Sequence, residues 1–226
     1  MEKIKEHFEN EAKEFDGIIL RLIPHYMEMI DGMVAAMPFD SADKISVIDL
    51  GCGTGTISKH IKERFPQATI TCLDLAENMI EMAKLKLARF SDIRYQVGDF
   101  SHYEFDDRYD VVVSSLALHH LVTDSDKLDF YRKIYRALNA NGVFYNADVI
   151  LGASDQLQNT YMAKWKSFMR KHVSEEEIDN KWLPKYHEED RPAKLMNQLQ
   201  WLVDIGFVET DVIWKYYNFA VYGGRK

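Results

Sequence analysis

The stretch Val47-Ile48-Asp49-Leu50-Gly51-Cys52-Gly53-Thr54-Gly55-Thr56 joins an apolar run to a helical pattern through three alternate glycines. Its apolar run, Val47 to Leu50, is typical of a strand buried on both faces, as in a parallel sheet. Glycine tolerates positive φ and has no Cβ, so the turn can bring bare backbone against a ligand. The stretch therefore predicts a strand, a ligand-binding turn and a helix.

The spacing of these glycines argues against two common phosphate-binding loops. The loop lacks the Lys-Ser/Thr ending of a P-loop, which argues against a triphosphate ligand. The pattern Gly-x-Gly-x-Gly also differs from the Gly-x-Gly-x-x-Gly dinucleotide fingerprint. A tight turn with no ligand remains an alternative for the loop taken alone.

Acidic residues end the next two strand-like runs. Asp74 closes Thr69 to Asp74 roughly 20 residues beyond the glycines, where units of this class place a carboxylate on ribose hydroxyls. Its alternative role is to cap the following helix. Asp99 and Phe100 follow the third run and suit the amino edge and the face of an adenine, although Gly98-Asp99 is also a plain turn sequence.

The order of elements predicts an open α/β sheet with right-handed crossovers. A fourth run, Tyr109 to Ser115, leads into His119 and His120. Ligands of such sheets sit outside the carboxyl ends of the strands, so the four polar strand ends share one crevice. The predicted strands are 44–50, 68–73, 92–97, 109–114 and 142–149, and the predicted helices are 55–64, 76–89 and 124–138.

Taken in order, the segments VIDLGCGTG, CLDLAENMIEMAK, VGDF and YDVVVSSLALHHL resemble the successive motifs of class I S-adenosylmethionine-dependent methyltransferases. The resemblance covers about residues 44–150. It implies a Rossmann-like, mostly parallel seven-stranded sheet with helices on both faces, and S-adenosyl-L-methionine as cofactor. It further implies that Asp49, Gly51, Gly53 and Gly55 surround the methionine part, Asp74 the ribose, Asp99 and Phe100 the adenine, and Ser115 and Leu116 the sulfonium. Cys52, Leu75 and Met79 are further candidate cofactor contacts within these motifs.

Helical patterns flank this core, and the whole chain is expected to form one domain. Residues 1–40 carry two amphipathic segments, the second from Ile18 to Met37, that predict a lid over the crevice. Residues 44–150 form the cofactor-binding core, and residues 151–205 contain three helix-like stretches that predict an insertion. Residues 206–226 resume the sheet, with a strand from Gly206 to about Trp214 and an antiparallel partner from Tyr216 to Tyr222.

A second, narrower resemblance comes from the two ends of the chain. It is similar to carboxy-S-adenosylmethionine synthases and to uncharacterised methyltransferases near them. The segments concerned are Phe15-Asp16, Ile23 to Tyr26, Glu175 to Ile178, Gly206-Phe207 and Trp214 to Phe219. The chain has Gly-Cys-Gly where those synthases usually have Gly-Cys-Ser, which favours ordinary methyl transfer.

Composition limits the partners. The chain has 226 residues, 46% of them hydrophobic, and a net charge of −8, which argues against a broad electrostatic grip on nucleic acid. The only cysteines, Cys52 and Cys72, belong to the motifs rather than to a disulfide framework and favour a reducing cytoplasm. No apolar signal segment or membrane span is expected. Exposed apolar helices make a homodimer a further prediction.

Methyl transfer needs alignment and exclusion of water more than a catalytic triad. If the acceptor must lose a proton, His119 and His120 are the candidate bases; lining the pocket or packing is their alternative role. Metal binding is not expected, because adjacent histidines rarely point at one ion and no third ligand is spaced near them. The candidate acceptor contacts are Arg21, Tyr26, Asp148 and Tyr216.

The leading hypothesis is therefore a methyltransferase acting on a small molecule. Two alternatives remain open from the sequence. One keeps the cofactor but carries out carboxymethyl-type cofactor synthesis or tRNA modification. The other is a cofactor-binding regulatory subunit without turnover.

Overall fold

The computed structural model describes residues 2–226, with side chains from Ile4 onward. Its centre is a seven-stranded sheet of order β3-β2-β1-β4-β5-β7-β6, in which only β7 is antiparallel to its neighbours. The predicted mostly parallel sheet is confirmed. The strands are β1 (Ser46–Leu50), β2 (Thr69–Asp74), β3 (Ile93–Val97), β4 (Tyr109–Ser115), β5 (Leu138–Val149), β6 (Val208–Tyr216) and β7 (Phe219–Arg225).

Helices cover both faces of this sheet, and one apolar cluster packs on each face. Within residues 2–226 no helix is both long and apolar enough to cross a bilayer. The helices are α1 (Glu2–Glu11), α2 (Phe15–Leu22), α3 (Tyr26–Ala35), α4 (Thr56–Arg64), α5 (Glu77–Lys86), α6 (Asp124–Ala137), α7 (Asp155–Met169), α8 (Glu175–Glu177), α9 (Leu183–Glu189) and α10 (Leu195–Ile205), with a π-helical segment at Ile178–Trp182.

The predicted amphipathic segment from Ile18 to Met37 forms parts of two helices, because the chain breaks between α2 and α3. Pro24 lacks an amide hydrogen and disfavours helical geometry in the residue before it. Ile23 is accordingly extended, with φ −104° and ψ 114°, and His25 is left-handed, with φ 55°. The break turns α3 so that Met29, Ile30 and Met33 are fully buried against the sheet.

The carboxyl-terminal strands form an antiparallel pair, as predicted, but each begins later than expected. Gly206 ends α10 with φ 115° instead of starting a strand, since only glycine adopts that geometry without strain. β6 therefore starts at Val208, and the turn at Tyr217 and Asn218 delays β7 to Phe219. The insertion holds four α-helices where three helix-like stretches were predicted. The middle stretch counts as two, because a π-helical segment separates α8 from α9.

Candidate active site

The glycine loop lies between β1 and α4 and has the predicted backbone geometry. Gly51, Gly53 and Gly55 have φ values of 69°, 52° and 81°. A Cβ on Gly51 would lie 2.4 Å from the Cβ of Ala117, so this position accepts only glycine. A Cβ on Gly55 would instead meet Leu87 and Ala83 behind the loop. Gly51 and Gly53 line a cavity, whereas Gly55 packs the loop onto α5.

Asp49 lies beneath the loop and does not reach this cavity in the described part of the chain. Its Oδ2 accepts a 2.7 Å hydrogen bond from the hydroxyl of Ser58, and its buried Oδ1 has no partner among the described residues. Burial raises the pKa of Asp49 to about 7. Near pH 7 this carboxyl group is therefore only partly ionised, and its unpartnered oxygen leaves one hydrogen-bonding position open beneath the loop.

Asp74 ends β2 and lines the same cavity. Its Oδ2 accepts a 2.8 Å hydrogen bond from the amide of Gly53, and its Oδ1 accepts a 2.9 Å bond from the amide of Ala76. Burial raises its pKa to about 6. The carboxylate thus fixes the glycine loop against the start of α5, and each oxygen keeps a second lone pair for a ligand.

The other predicted adenine contacts separate in the structure. Phe100 is buried and lines the cavity. Asp99 turns to the start of a short 3₁₀ segment, where its Oδ1 accepts hydrogen bonds from the amide and hydroxyl of Ser101 at 2.8 and 2.6 Å. Asp99 therefore caps this segment, which agrees with the turn alternative for Gly98-Asp99. Among the described residues it does not line the cavity.

This first cavity encloses about 710 Å³. Seven of its lining residues were not among the candidates from the sequence. Ile4, Phe8 and Phe15 belong to the first of the two amphipathic segments in residues 1–40. Apolar residues at helical spacing have the same pattern whether they cover a cavity or pack in the core. The predicted residues that line it are Tyr26, Gly51, Cys52, Gly53, Asp74, Leu75, Met79, Phe100, Ser115, Leu116 and His120, and the others are Ile4, Phe8, Phe15, Thr54, Thr56, Ile57 and Ala117.

A second cavity of about 770 Å³ adjoins the first. The two share Phe8, Phe15, Leu116 and His120 as lining residues. The far wall of the second cavity comes from the insertion, from α1 and α2 and from the start of β7, so residues distant in sequence form it. These residues include Glu11, Ile18, Leu22, Trp165, Trp182, Lys185, Tyr186, Glu189, Asp190 and Phe219.

The two predicted histidines have opposite environments. Nδ1 of His119 lies 2.5 Å from Oδ1 of Asp148, and its Nε2 lies 3.3 Å from Oδ1 of Asp190. Burial alone would lower the pKa of His119, but the two carboxylates outweigh it and raise the pKa to about 10. Burial, reinforced by the neighbouring His119, lowers the pKa of His120 to about 4. His119 is thus a buried cation and His120 is neutral at pH 7.

Three of the predicted acceptor contacts lie away from both cavities as residues 2–226 define them. The placement of Asp148 at the crevice mouth is wrong, because its carboxylate is 2% exposed and is held by the backbone and ring of His119. Arg21 is exposed and donates to the carbonyl of Gly17. Tyr216 packs on His25 with ring centroids 4.7 Å apart. Tyr26 alone of the four lines a cavity.

The structure also supplies the third ligating group that the sequence spacing did not suggest. His119, His120 and Asp190 each offer one ligand atom, and these atoms lie within 4.8 Å of one another. A metal ion would have to displace the proton of His119 and compete with its ion pairs to both carboxylates, since a metal ligand must be deprotonated. The arrangement is accounted for by the ion pair of His119 with Asp190.

We therefore expect chelators to leave the protein unaffected. Dialysis against EDTA and 1,10-phenanthroline should change neither its melting temperature nor its cofactor affinity. Elemental analysis of the purified chain is the direct measurement. Stoichiometric zinc, with a loss of either property on its removal, would contradict the ion-pair interpretation.

The charge on His119 also makes stability depend on pH. Its pKa is about 6.5 when unfolded and about 10 when folded, so its contribution is fully present below pH 6.5 and declines as the pH rises toward 10. The difference in unfolding free energy between the wild type and His119→Gln should therefore shrink between pH 7 and pH 10. Urea unfolding at several pH values measures it; a constant or growing difference would show that His119 is not the cation.

Part of the chain is similar to a known protein family. Residues 47–142, less than half of the chain, match the family model described as a methyltransferase domain. This match supports a class I S-adenosylmethionine-dependent methyltransferase. It also supports S-adenosyl-L-methionine, which is the cofactor predicted from the sequence.

Two groups of curated relatives match to different extents. Malonyl-[acyl-carrier protein] O-methyltransferase of Acetivibrio thermocellus is 28% identical over 61% of this chain and 46% of its own length. This chain thus spans about half the length of that relative. Carboxy-S-adenosyl-L-methionine synthase of Campylobacter hominis is 25% identical over 99% of this chain and 97% of its own.

Solved structures agree on the fold. The structure titled "DhpI-SAM-HEP complex" covers 98% of this chain and 95% of its own chain, with a TM-score of 0.67 and 16% identity. Human N-acetylserotonin methyltransferase in complex with SAM covers 96% of this chain and 56% of its own, with a TM-score of 0.64 and 18% identity. Both likenesses concern the fold alone.

Proposed function

We propose that this methyltransferase transfers a methyl group to a small-molecule acceptor bound in the second cavity. The observation that carries the proposal is the junction of the two cavities at Leu116 and His120. A donor in the first cavity and an acceptor in the second would meet there. Such alignment of the reacting atoms can supply several kcal/mol toward the barrier.

The described residues fit the cofactor in the first cavity. Gly51 and Gly53 line this cavity with bare backbone, and Asp49 keeps an unpartnered oxygen beneath the loop. We assign Asp49 and the loop to the methionine part, Asp74 to the ribose hydroxyls, and Phe100 with Leu75 and Met79 to the adenine side. Cys52, Ser115 and Leu116 would border the sulfonium. We assign Gly55 and Asp99 supporting roles, since they hold the loop and the adjacent turn.

When bound, S-adenosylmethionine supplies an electrophilic methyl group on a sulfonium, which leaves as a neutral thioether. His120 would accept the proton that an acceptor hydroxyl or amine gives up as it takes the methyl group. Its Nε2 is buried and has no partner among the described residues. His119, held by Asp148 and Asp190, would act as a positioning residue that keeps its charge beside His120 and thereby keeps His120 neutral.

We propose that α1 acts as the lid over both cavities. Phe8 lines both of them. The carboxylate of Glu9 accepts hydrogen bonds from the amides of Glu77 and Asn78 at 2.7 and 2.8 Å, which fastens α1 to the start of α5. Release of these hydrogen bonds would let α1 move away and open the cofactor site. When they form again, α1 would cover the site and exclude water.

A second candidate function is carboxymethyl-type cofactor synthesis. The observation in its favour is that the synthase of Campylobacter hominis matches nearly the whole chain, including the insertion and the last two strands. Both candidates use the first cavity in the same way and differ in what the second cavity receives.

Mass spectrometry of the ligand retained on purification distinguishes the two candidates. S-adenosylmethionine or S-adenosylhomocysteine is the expected result, with binding confirmed by calorimetry on the stripped protein. A carboxylated cofactor would overturn methyl transfer in favour of the second candidate. Binding of S-adenosylmethionine without turnover of any acceptor would favour a regulatory subunit instead.

The partners and the compartment remain predictions within this proposal. Cys52 and Cys72 are buried free thiols, which is consistent with a reducing cytoplasm. The net charge of −8 supports a small acceptor over nucleic acid. Leu20, Met196 and Val203 are exposed apolar residues on helices that could support a homodimer. Light scattering after size exclusion measures the mass directly.

A further inference from the structure

The charged side chains around the second cavity form pairs with one another. Nζ of Lys185 lies 3.2 Å from Oε1 of Glu11, and Nδ1 of His7 lies 2.9 Å from Oε2 of Glu189. His119 and Asp190 form the third pair. The positive charge of Lys185 also acts on Glu189, so each carboxylate and ammonium group that lines this cavity has an opposite charge near it within residues 4–226. A charged acceptor would have to break one of these pairs or be buried without a counter-ion, and both are costly.

The remaining wall of the second cavity is aromatic and apolar. The ring of Trp165 meets the rings of Tyr186 and Phe219 edge to face, with centroids 5.2 and 5.5 Å away. Its indole nitrogen already donates to the carbonyl of Leu22 at 2.7 Å. The indole nitrogen of Trp182 likewise donates to Glu177 at 3.2 Å. These rings offer faces and edges rather than free polar atoms, which suits a planar aromatic molecule.

One buried side-chain polar atom of the residues lining this cavity lacks a partner in the described chain, and it is Nε2 of His120. Nδ1 of His120 lies 3.3 Å from the carbonyl oxygen of Glu189. A carbonyl only accepts, so in the neutral ring the hydrogen belongs on Nδ1 and the lone pair on Nε2. The missing partner is therefore a hydrogen-bond donor. His120 also lines the first cavity, so that donor lies beside the proposed methyl position.

We propose that the acceptor is an uncharged aromatic molecule with a phenolic hydroxyl, which rests on the proposed methyl transfer. The hydroxyl donates to Nε2 of His120 while the ring lies among Trp165, Tyr186 and Phe219. In the transfer, the proton passes to Nε2 and the oxygen forms its bond to the methyl carbon. The bond from that carbon to sulfur breaks, and its electron pair stays on sulfur as a neutral thioether. A phenol suits this step because it loses its proton near pH 10, as tyrosine does.

Calorimetry on the full chain saturated with S-adenosylhomocysteine tests the proposal without turnover. The four probes share one ring system: 2-naphthol, naphthalene, 2-naphthoate and 2-naphthylmethylammonium. We expect 2-naphthol to bind roughly 5-fold more tightly than naphthalene, the value of about one net hydrogen bond, and at least about 10-fold more tightly than either ion. Tighter or equal binding of an ion, or no binding of any probe, would overturn the proposal.

The variant His120→Phe isolates the hydrogen bond, because it keeps a ring of similar shape and removes the acceptor nitrogen. The advantage of 2-naphthol over naphthalene should vanish in this variant, and its persistence would rule out Nε2 as the partner. His102→Phe is the matched control, since the side chain of His102 is 85% exposed. The initial S-adenosylhomocysteine titration reports separately on the proposed function: loss there counts against the cofactor site, whereas a wrong order of probes counts only against the acceptor class.

Discussion

Replacement of Asp74 by alanine is expected to weaken S-adenosylmethionine binding by at least about 100-fold. In the proposed site, the carboxylate of Asp74 accepts two hydrogen bonds from the ribose hydroxyls. Hydrogen bonds to a charged group contribute about 1.5–3 kcal/mol each, and two of them account for a loss of that size or more. The same carboxylate also holds the amides of Gly53 and Ala76, so the variant should loosen the glycine loop.

Calorimetric titration of wild type, Asp74→Asn and Asp74→Ala provides the measurement. Asp74→Asn keeps one oxygen of the two and should fall between the others. Asp107→Ala is the matched control, because Asp107 is an exposed carboxylate paired with Arg94 at 3.2 Å. Thermal melting shows whether each variant is folded. An unchanged affinity in folded Asp74→Ala would refute the ribose contact.

Replacement of His120 by glutamine is expected to lower kcat by about 100-fold, the low end of the usual contribution of a positioned general base, since a pKa of about 4 makes His120 a weak base. Glutamine can still accept a hydrogen bond, but it cannot take up the proton. The affinity for S-adenosylmethionine should remain within about twofold, since the amide preserves most of the cavity wall. This split between turnover and cofactor binding is what distinguishes a base from a residue that only lines the pocket.

The wild-type pH profile provides a second readout for His120. Its pKa of about 4 means that the ring is neutral, and able to accept a proton, at any pH above that value. Turnover should therefore decline only as the pH falls toward 4, rather than near the ordinary histidine value of about 6.5. His102→Gln serves as the control for both measurements. Equal kcat in His120→Gln and the wild type would assign His120 to the pocket wall alone.

Parts of the site that depend on local sequence were predictable. The glycine turn follows from the lack of a Cβ, and a single run of ten residues encodes it. Strand ends that carry Asp74, Phe100 and Ser115 follow from the order of the elements, since parallel strands present their carboxyl ends at one edge. The sequence indicated this edge and the cofactor, but it assigned Gly55 and Asp99 direct contacts that local packing directs elsewhere.

The second cavity could not be predicted in this way. Its histidine cluster depends on Asp190, which lies 71 residues beyond His119 in the chain and 3.3 Å from it in space. Asp148 looked like a substrate ligand at the end of a strand, yet it is buried against His119. An acidic residue that binds substrate and one that holds a histidine both occur at the end of a strand, so their local sequences look alike. Only the packing of neighbouring elements shows which role the residue has.

By itself, the sequence determined the parallel core, the glycine turn and the resemblance to class I methyltransferases. These features depend on short-range periodicity, on glycine geometry and on motifs contained in single segments. Only the tertiary structure decided where α1 and the insertion meet, which histidine is charged, and which carboxylate positions it. Those properties arise from burial and from charges brought together by long-range folding, because the free energy of a buried charge depends on its neighbours in space.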